Sequence, residues 1–594
     1  MLLQVLVSTF LVGLAYVGLV NAEVLVNFQV AQPPPVPRDA KQCTVKVLQR
    51  DFAFSFGLCV FIYAKNGTRL IPDFTRAEVV QLAPPTDCGP VGSWAAITLN
   101  FTVTSNGTQF DRLGIFTFQN VEIWRTSTPE PTRGDGIIWT YIKDVTRYTP
   151  LFAQPGTFIL QLDNLIQEGL DGIYSTVLHA TYYASSPAHP PAPKAGLLVP
   201  ISNMRNDTGN HVSVPPAFSL NVTLPRNSVR VFAELYASGN GNEEFWYFNT
   251  ANQFLPDLPE GFLGQGPFRE VRMLVDGQVA GVAYPYITIF TGGFVPTAWR
   301  PISSYGALDL PTYFLDLTPF VPIFADGNPH NVTLDVASAE EDHTILQNWF
   351  LSGVLQVSID PSSKPSTGKI TKYSVDPYSQ SNTVGTVGGG DVNVTVSASR
   401  KLRIESTIIS GSGEVNHVVW TQHLQFKNVQ YLLDNTNTQN LIQASTGSFL
   451  STHNGVTVLS DQYSYPIAIN FSNLDATGRS WQTHFDHSYV RDLLPMPNVV
   501  RSKIENHQLA GGFFFLMAGG NVGNGTSSNV FSYVDAAGNT YSRSVDAVLN
   551  NITLDVQSGT LAPAPAAQEL PVQPFSGFVG KAARLPNGRT VQGS

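Results

Sequence analysis

Short runs of alternating apolar and polar residues recur along most of this chain, each closed after a few residues by Gly, Pro, Asn or Asp. Phe218-Ser219-Leu220-Asn221-Val222-Thr223-Leu224 and Asn331-Val332-Thr333-Leu334-Asp335-Val336 carry the period of two most plainly. Successive side chains of a strand point to opposite faces, so the pattern predicts sheets with one buried and one wet face. Val415-Asn416-His417-Val418-Val419-Trp420 and Gly512-Phe513-Phe514-Phe515-Leu516 continue the short apolar runs in the last third. Only 13% of residues are charged, and 41 prolines and 49 glycines punctuate the chain, which favours many short strands and excludes coiled coils and long helical bundles.

With 594 residues the chain is roughly three to four times a typical domain, so several cores are expected. Leu2 to Val20 is almost wholly apolar, no charge precedes Glu23, and Val20-Asn21-Ala22 offers small residues for cleavage. Residues 1–22 therefore read as a secretory signal peptide, predicting a secreted protein with no membrane attachment after cleavage. A membrane anchor is the alternative, because the run approaches the ~20 residues that span a bilayer. Residues 23–42 contain Gln32-Pro33-Pro34-Pro35-Val36-Pro37, a stiff lead-in unsuited to a sheet interior.

From Cys43 onward a weak internal repeat appears. Phe110-Asp111-Arg112, Trp124-Arg125 and Asp144-Val145-Thr146-Arg147-Tyr148 are answered, in the same order, by Phe268-Arg269-Glu270, Trp299-Arg300 and Asp316-Leu317-Thr318-Pro319-Phe320. The fold expected is all-β: two adjacent jelly-roll β-sandwiches, at 43–205 and 206–360, followed by a further all-β domain at 392–560. Chance likeness among short strands is the alternative source of the repeat. The Ser/Gly/Pro/Thr-rich stretch 361–391 reads as a linker, and the Pro/Ala-rich tail 561–594 as disordered.

A net charge of −10 and a pI near 5.6, without any Lys/Arg cluster, argue against nucleic acid as a partner. No C-x-x-C pair or His cluster at ligand spacing exists, so neither a metal nor another cofactor is expected. Cys43, Cys59 and Cys88 are an odd set, simplest as one disulfide and one leftover thiol in an oxidising compartment. Glycan-acceptor sequons occur at Asn66, Asn100, Asn106, Asn206, Asn221, Asn331, Asn393, Asn470, Asn524 and Asn551. Those at Asn100, Asn221, Asn331 and Asn393 lie on the polar phase of predicted strands, where a glycan would point to solvent.

Several longer blocks go beyond pattern: Phe110-Asp111-Arg112-Leu113-Gly114, Val121-Glu122-Ile123-Trp124-Arg125-Thr126-Ser127-Thr128-Pro129-Glu130-Pro131, Lys143-Asp144-Val145-Thr146-Arg147-Tyr148, Glu244-Phe245-Trp246-Tyr247 and Trp299-Arg300-Pro301. Together they resemble the peptide-N-glycosidase A family of plants and fungi, from about Cys43 to Asp360 and more weakly beyond. The resemblance implies a glycoamidase that cleaves the amide between an N-glycan's first N-acetylglucosamine and Asn, acting on N-glycosylated peptides or proteins and leaving Asp and a glycosylamine. A remoter likeness to the bacterial peptide-N-glycosidase F type, built from two jelly rolls, implies Asp111 of the Asp111-Arg112 pair as the catalytic Asp. It also implies Glu244, with Glu243 as reserve, after the Ser238-Gly239 turn, and it places Arg300 beside Trp299 and Asp163 as a second acidic group. The segment Gly57 to Val80, which holds Cys59, departs from the family by an apparent insertion before Pro84-Pro85-Thr86-Asp87-Cys88. On that comparison the pairing is Cys43 with Cys88, leaving Cys59 free.

Amide hydrolysis needs a base for water, donors for the oxyanion and a proton for the departing amine. Asp111 would be the base, its pKa raised from ~3.9 by burial or by Glu244. Arg300 or Arg112 would stabilise the oxyanion, Glu244 would bind sugar or assist proton transfer, and Trp246, Tyr247 and Trp299 would stack on pyranose faces. The plainer readings are a surface ion pair for Asp111-Arg112, core packing for the aromatic residues, a structural Glu130 between two prolines and a turn cap at Asp144. Two other functions stand beside the amidase: a non-catalytic secreted carbohydrate-binding protein, and a glycoside hydrolase that would leave sugar on Asn.

Overall fold

The structure is a computed structural model that describes residues 25–26, 34–55, 77–132, 134–496, 501–517 and 521–562. The leader 1–22, Cys59, the sequon at Asn66 and the tail beyond 562 lie outside the described residues. Among the described residues no helix is long and apolar enough to cross a membrane.

Alternation along the strands builds the first sandwich. In Ala96–Asn106, Leu99, Phe101 and Val103 turn inward while Asn100, Thr102 and Thr104 turn outward. Strands Gln42–Phe52, Glu78–Leu82, Ala96–Asn106, Leu113–Phe118, Val121–Ser127, Ile137–Asp144, Gly156–Leu162 and Ile173–Tyr183, counted one to eight, form one sheet ordered 1-8-3-6 and another ordered 2-7-4-5. That connectivity is a jelly roll. Leu25–Val26 adds a short parallel edge beside Ile137 and Ile138. Between the sheets Phe116 stacks on Trp124 at 4.5 Å and meets Phe101 edge-on at 5.0 Å, and each such pair contributes about 0.5–1.5 kcal/mol beyond burial. A disulfide joins Cys43 to Cys88 with Cα atoms 5.8 Å apart.

The second sandwich repeats the same order with Leu197–Ile201, Phe218–Val222, Ser228–Gly239, Glu270–Val275, Gln278–Ala283, Tyr313–Asp316, His330–Ala337 and Trp349–Ile359. Leu197–Ile201 pairs with Trp349–Ile359, so the first sandwich ends at Tyr183 and the expected boundary at 205 is corrected. The internal repeat is structural at its first and third landmarks. Asp111 and Arg269 each stand just before the fourth strand. Asp144 and Asp316 each accept a bond of 2.8 Å from the backbone N–H two residues on, capping the same turn. Trp124-Arg125 lies in the fifth strand, whereas Trp299-Arg300 lies in the long connection after it.

The fifth strand of the first sandwich joins the two. Arg125, fully buried, makes a two-bond pair with Glu122 at 2.7 Å and also donates to the Phe350 carbonyl at 2.7 Å and Ser238 Oγ at 3.0 Å. The Ser127 N–H bonds the Ala307 carbonyl and the Leu310 N–H bonds that of Arg125. These bonds fix the orientation of one sandwich against the other.

Beyond residue 360 lies an eleven-stranded antiparallel sheet whose strands reach 19 residues, as in Asp391–Ile409 and Val415–Leu433. Its apolar face packs on the second sandwich, sharing one core with it. Trp420 and Trp481 donate their indole N–H groups to the carbonyls of Ala280 and Phe294, at 3.0 and 2.9 Å. The Gln422 amide bonds both the N–H and the C=O of Val282, at 3.0 and 2.8 Å. Thr367–Val375 and Gln380–Gly388 pair with Asp391–Ile409, which corrects the linker expected at 361–391. Both strands are largely exposed on two faces, so they lack the apolar alternation that marks a half-buried strand.

Among the acceptor asparagines, Asn106, Asn206, Asn221, Asn470, Asn524 and Asn551 are exposed, and Asn100, Asn331 and Asn393 half-buried. Asn221 and Asn331 sit opposite one another on paired strands, their amides 3.5 Å apart.

Candidate active site

The site lies where the two sandwiches meet. Phe110-Asp111-Arg112 leads into Leu113–Phe118, and Thr128-Pro129-Glu130-Pro131 leaves Val121–Ser127, so both segments emerge at one end of paired strands. Two contacts lock them together: the Arg112 N–H bonds Thr128 Oγ1 at 2.8 Å, and the Thr128 N–H bonds the Arg112 carbonyl at 2.9 Å. The Arg112 guanidinium donates to Gln109 Oε1 at 2.6 Å and to Asn164 Oδ1 at 3.3 Å. Tyr174 lies beneath, its hydroxyl 2.8 Å from the Phe110 carbonyl and 3.2 Å from that of Pro129. Burial raises its pKa, with the nearby Asp111 and Glu130 charges adding to the rise, so it stays a neutral donor.

From the second sandwich, Ser228–Gly239 ends in a turn through Gly241–Glu243 that delivers Glu244. Asn240 and Asn348 exchange two backbone hydrogen bonds, at 2.8 and 3.0 Å, and hold that turn in place. The connection after Gln278–Ala283 reaches back to the first sandwich, where Thr291 Oγ1 donates to the Thr128 carbonyl at 2.7 Å. Gly292 follows, and a Cβ there would stand 2.5 Å from both Asp111 Oδ1 and Glu130 Oε1. Glycine leaves the two carboxylates uncrowded at this point, where any Cβ would force one of them or the backbone to shift. Arg300, buried, places Nη2 3.5 Å from Glu130 Oε2, and burial lowers its pKa from the usual guanidinium value while Glu130 opposes that shift.

The result is a cleft of about 260 Å³ lined by Asp111, Arg112, Asp163 and Glu244, with Gln161, Asn240, Phe290 and Phe350 among the other walls. Asp111 and Glu244 are nearly buried, at 8% and 7% exposure, yet both open onto it. Burial raises the Asp163 pKa, and the hydrogen bond from Gln161 at 2.8 Å partly offsets this. A cleft with carboxylates from two rigid sandwiches and a cation on one wall has the parts for metal-independent proton transfer and for holding an anionic oxygen.

The backbone that carries Arg300 is seated on the C-terminal sheet. Thr297 Oγ1 donates to the Asn524 carbonyl at 3.0 Å, and the Asn550 N–H donates to the Arg300 carbonyl at 3.1 Å. A Cβ on Gly525 would come within 2.4 Å of the Thr297 carbonyl oxygen, so the glycine permits this close approach.

Four expected substrate contacts are corrected. Glu243 is fully buried, paired with Arg269 through bonds of 2.5 and 2.8 Å and bonded by the Trp349 indole at 2.7 Å and the Leu346 N–H at 2.9 Å. Trp246 packs on Trp349 at 5.8 Å, and Tyr247 lies among Phe245, Phe248 and Phe294. Trp299 is buried against Phe485, its indole N–H 2.9 Å from the Gly293 carbonyl. All three rings are core, because the tight turns carrying them aim successive side chains inward. Phe290 and Phe350 are the cleft's own rings. Phe350 alternates with the buried Trp349 on one strand, a period-two signal that sequence carries. Glu130 and Gly292 carry no such signal, because only the folded loops bring them together, and Tyr174 reads as the buried phase of the alternating strand Ile173–Tyr183 with no sign of what its hydroxyl meets.

The sequence profile of the peptide N-acetyl-beta-D-glucosaminyl asparaginase amidase A family matches residues 32–376. This chain belongs to that family. A second profile, the C-terminal domain of the same family, matches residues 393–467. A peptide-N4-(N-acetyl-beta-glucosaminyl)asparagine amidase A from Prunus dulcis is 34% identical over 369 residues, covering 59% of this chain and 60% of the relative. The first match spans both sandwiches and therefore the whole cleft. The C-terminal match covers less than half of the eleven-stranded sheet.

Proposed function

We propose that this protein is a secreted glycoamidase that hydrolyses the amide between the first N-acetylglucosamine of an N-glycan and its Asn. The observation that carries the reading is the meeting of Asp111 and Glu244, one from each sandwich, at a single cleft beside Arg112 in a member of this amidase family. Asp111 takes a proton from water as the water oxygen attacks the side-chain amide carbon. Arg112, the cation lining the cleft, faces the developing oxyanion, whereas Arg300, expected from sequence to share that role, pairs with Glu130 and is not part of the cleft's lining. Glu244 assists transfer of the proton to the departing nitrogen as the C–N bond breaks. One water is consumed, and Asp and a glycosylamine result. Phe290 and Phe350 offer apolar faces to the sugar in place of the three buried aromatics.

Incubating the purified protein with a defined glycopeptide and weighing the peptide tests the reaction. The amidase leaves a sugar-free peptide carrying Asp, a glycosidase leaves sugar on Asn, and a carbohydrate-binding protein leaves the glycopeptide intact. Asp111→Asn keeps the fold and lowers turnover ~10²-fold or more, the loss expected when a positioned base is removed. A folded Asp111→Asn protein turning over at the wild-type rate refutes the assignment. The apolar leader and the Cys43–Cys88 disulfide support secretion. N-terminal sequencing of the mature protein is expected to begin at Glu23, and a mature chain starting at Met1 rules the leader out as a cleaved signal.

A further inference from the structure

Glu130 looks structural in sequence, a carboxylate pinned between two prolines. In the fold its Oε1 and the Oδ1 of Asp111 lie each 2.5 Å from the point a Gly292 Cβ would occupy, so the two oxygens are no farther apart than twice that distance. Its other oxygen faces the Arg300 guanidinium at 3.5 Å. The residues just before Asp111 and Glu130 present their carbonyls to one hydroxyl, that of Tyr174, and Thr128 ties both segments together on the other side. The spacing of the two carboxylates is thereby set by hydrogen bonds on the backbones that carry them. Both are more than nine-tenths buried, where two like charges at such range repel strongly and the Arg300 guanidinium beside Glu130 offsets part of that repulsion.

We infer that Glu130, held by Arg300, is a positioning residue for the proposed amidase: it orients Asp111 and sets its proton affinity, so that the Asp111–Glu130 pair, rather than Asp111 with Glu244, titrates as a unit. This rests on the reading of Asp111 as the general base. Among the described residues, the charged and titratable groups around Asp111 come from several neighbouring elements. Arg112 stands on its own segment and Glu130 on the adjoining one, Tyr174 lies beneath, Asp163 and Glu244 are on the cleft walls, and Arg300 is behind Glu130. Of these, Glu130 and Arg300 form an opposed couple, so removing one or the other must move Asp111 in opposite directions.

The test is the pH profile of kcat and kcat/KM on one glycopeptide. Glu130→Gln removes the negative neighbour and leaves Arg300, so the acidic limb is expected to move to lower pH by about one unit or more. Arg300→Gln removes the positive neighbour and leaves Glu130, so the limb is expected to move to higher pH. The double variant returns the limb close to its original place, and Glu130→Asp restores its direction. A residue that merely supported the loop would lower activity in all of these without moving the limb in opposite senses. If the limb stays within a few tenths of a unit in both single variants while Asp111→Asn is inactive, the inference is wrong and the base assignment stands. If Asp111→Asn is fully active, the base assignment itself has failed. Should Glu130→Gln not fold, the direction of the Arg300→Gln shift decides alone: upward supports the coupling, and no movement or downward overturns it.

Discussion

Replacing Gly292 with Ala adds one methyl group at the closest point between Asp111 and Glu130. The new carbon would stand 2.5 Å from an oxygen of each carboxylate, where real Cβ contacts essentially never fall below 3.0 Å. Each carboxylate, or the glycine's own backbone, must therefore shift by about 0.5 Å or more. Neither side yields easily. Glu130 is flanked by prolines and faces Arg300, while the Asp111 backbone is held through Tyr174 and Thr128. A misplacement near 1 Å at a reacting group costs ~10²-fold, so kcat is expected to fall roughly 10- to 100-fold. Overpacking costs ~1–3 kcal/mol, a fraction of the stability of a folded domain, so the protein stays folded. Release of sugar-free peptide, followed by mass, gives kcat, and a thermal melt gives stability. Gly388→Ala is the control, since a Cβ there meets nothing within 4 Å. Wild-type kcat in Gly292→Ala, with an unmoved pH profile, would show that the bare glycine does not govern the carboxylates.

Two predictions concern stability rather than turnover. Arg269→Met leaves Glu243 charged in a fully buried site with only the Trp349 indole and the Leu346 N–H for company, and is expected to cost ~3–5 kcal/mol in a denaturant titration; a loss under 1 kcal/mol would mean the pair is weakly coupled. Burial pushes His487 down to about 3, so it stays neutral in the fold while an unfolded His protonates near ~6.5. Its share of stability is therefore full above pH ~6.5 and is lost as pH falls toward 3, at up to ~1.4 kcal/mol per unit. Melts between pH 7 and 5 are expected to show this slope, and His487→Asn to flatten it; an equal slope in the variant refutes the assignment.

The paired sandwiches are legible in the sequence because each strand buries one face, which writes a period of two into residues such as Leu99, Phe101 and Val103. Pairing partners are not so written. Leu197–Ile201 reads as a strand in either sandwich, and only its bonds to Trp349–Ile359 decide which. Thr367–Val375 and Gln380–Gly388 escape detection because solvent on both faces imposes no alternation. At the site, resemblance led to Asp111 and Glu244, which share the cleft, and also to Trp246, Tyr247 and Trp299, which lie in the core. Residue type alone does not separate a ring that stacks on sugar from one that fills a sandwich. Burial separates them, and burial is a property of the fold.

The long connection that carries Gly292 and Arg300 has no regular structure to give it a shape, apart from the single turn Pro296–Trp299. It is cast against the C-terminal sheet: the Trp481 indole grips the Phe294 carbonyl, the backbone at 524 and 550 grips Thr297 and Arg300, and Gly525 leaves the hollow into which the turn is pressed. The sheet thus acts as a mould for one wall of the candidate site, although none of the cleft's lining among the described residues comes from it. Both carboxylate-bearing strand ends of the first sandwich are set without it, but the glycine and arginine that face them are set by it. A substitution on the sheet's inner face that alters this loop's shape is in consequence expected to reach the carboxylates through Gly292 and Arg300.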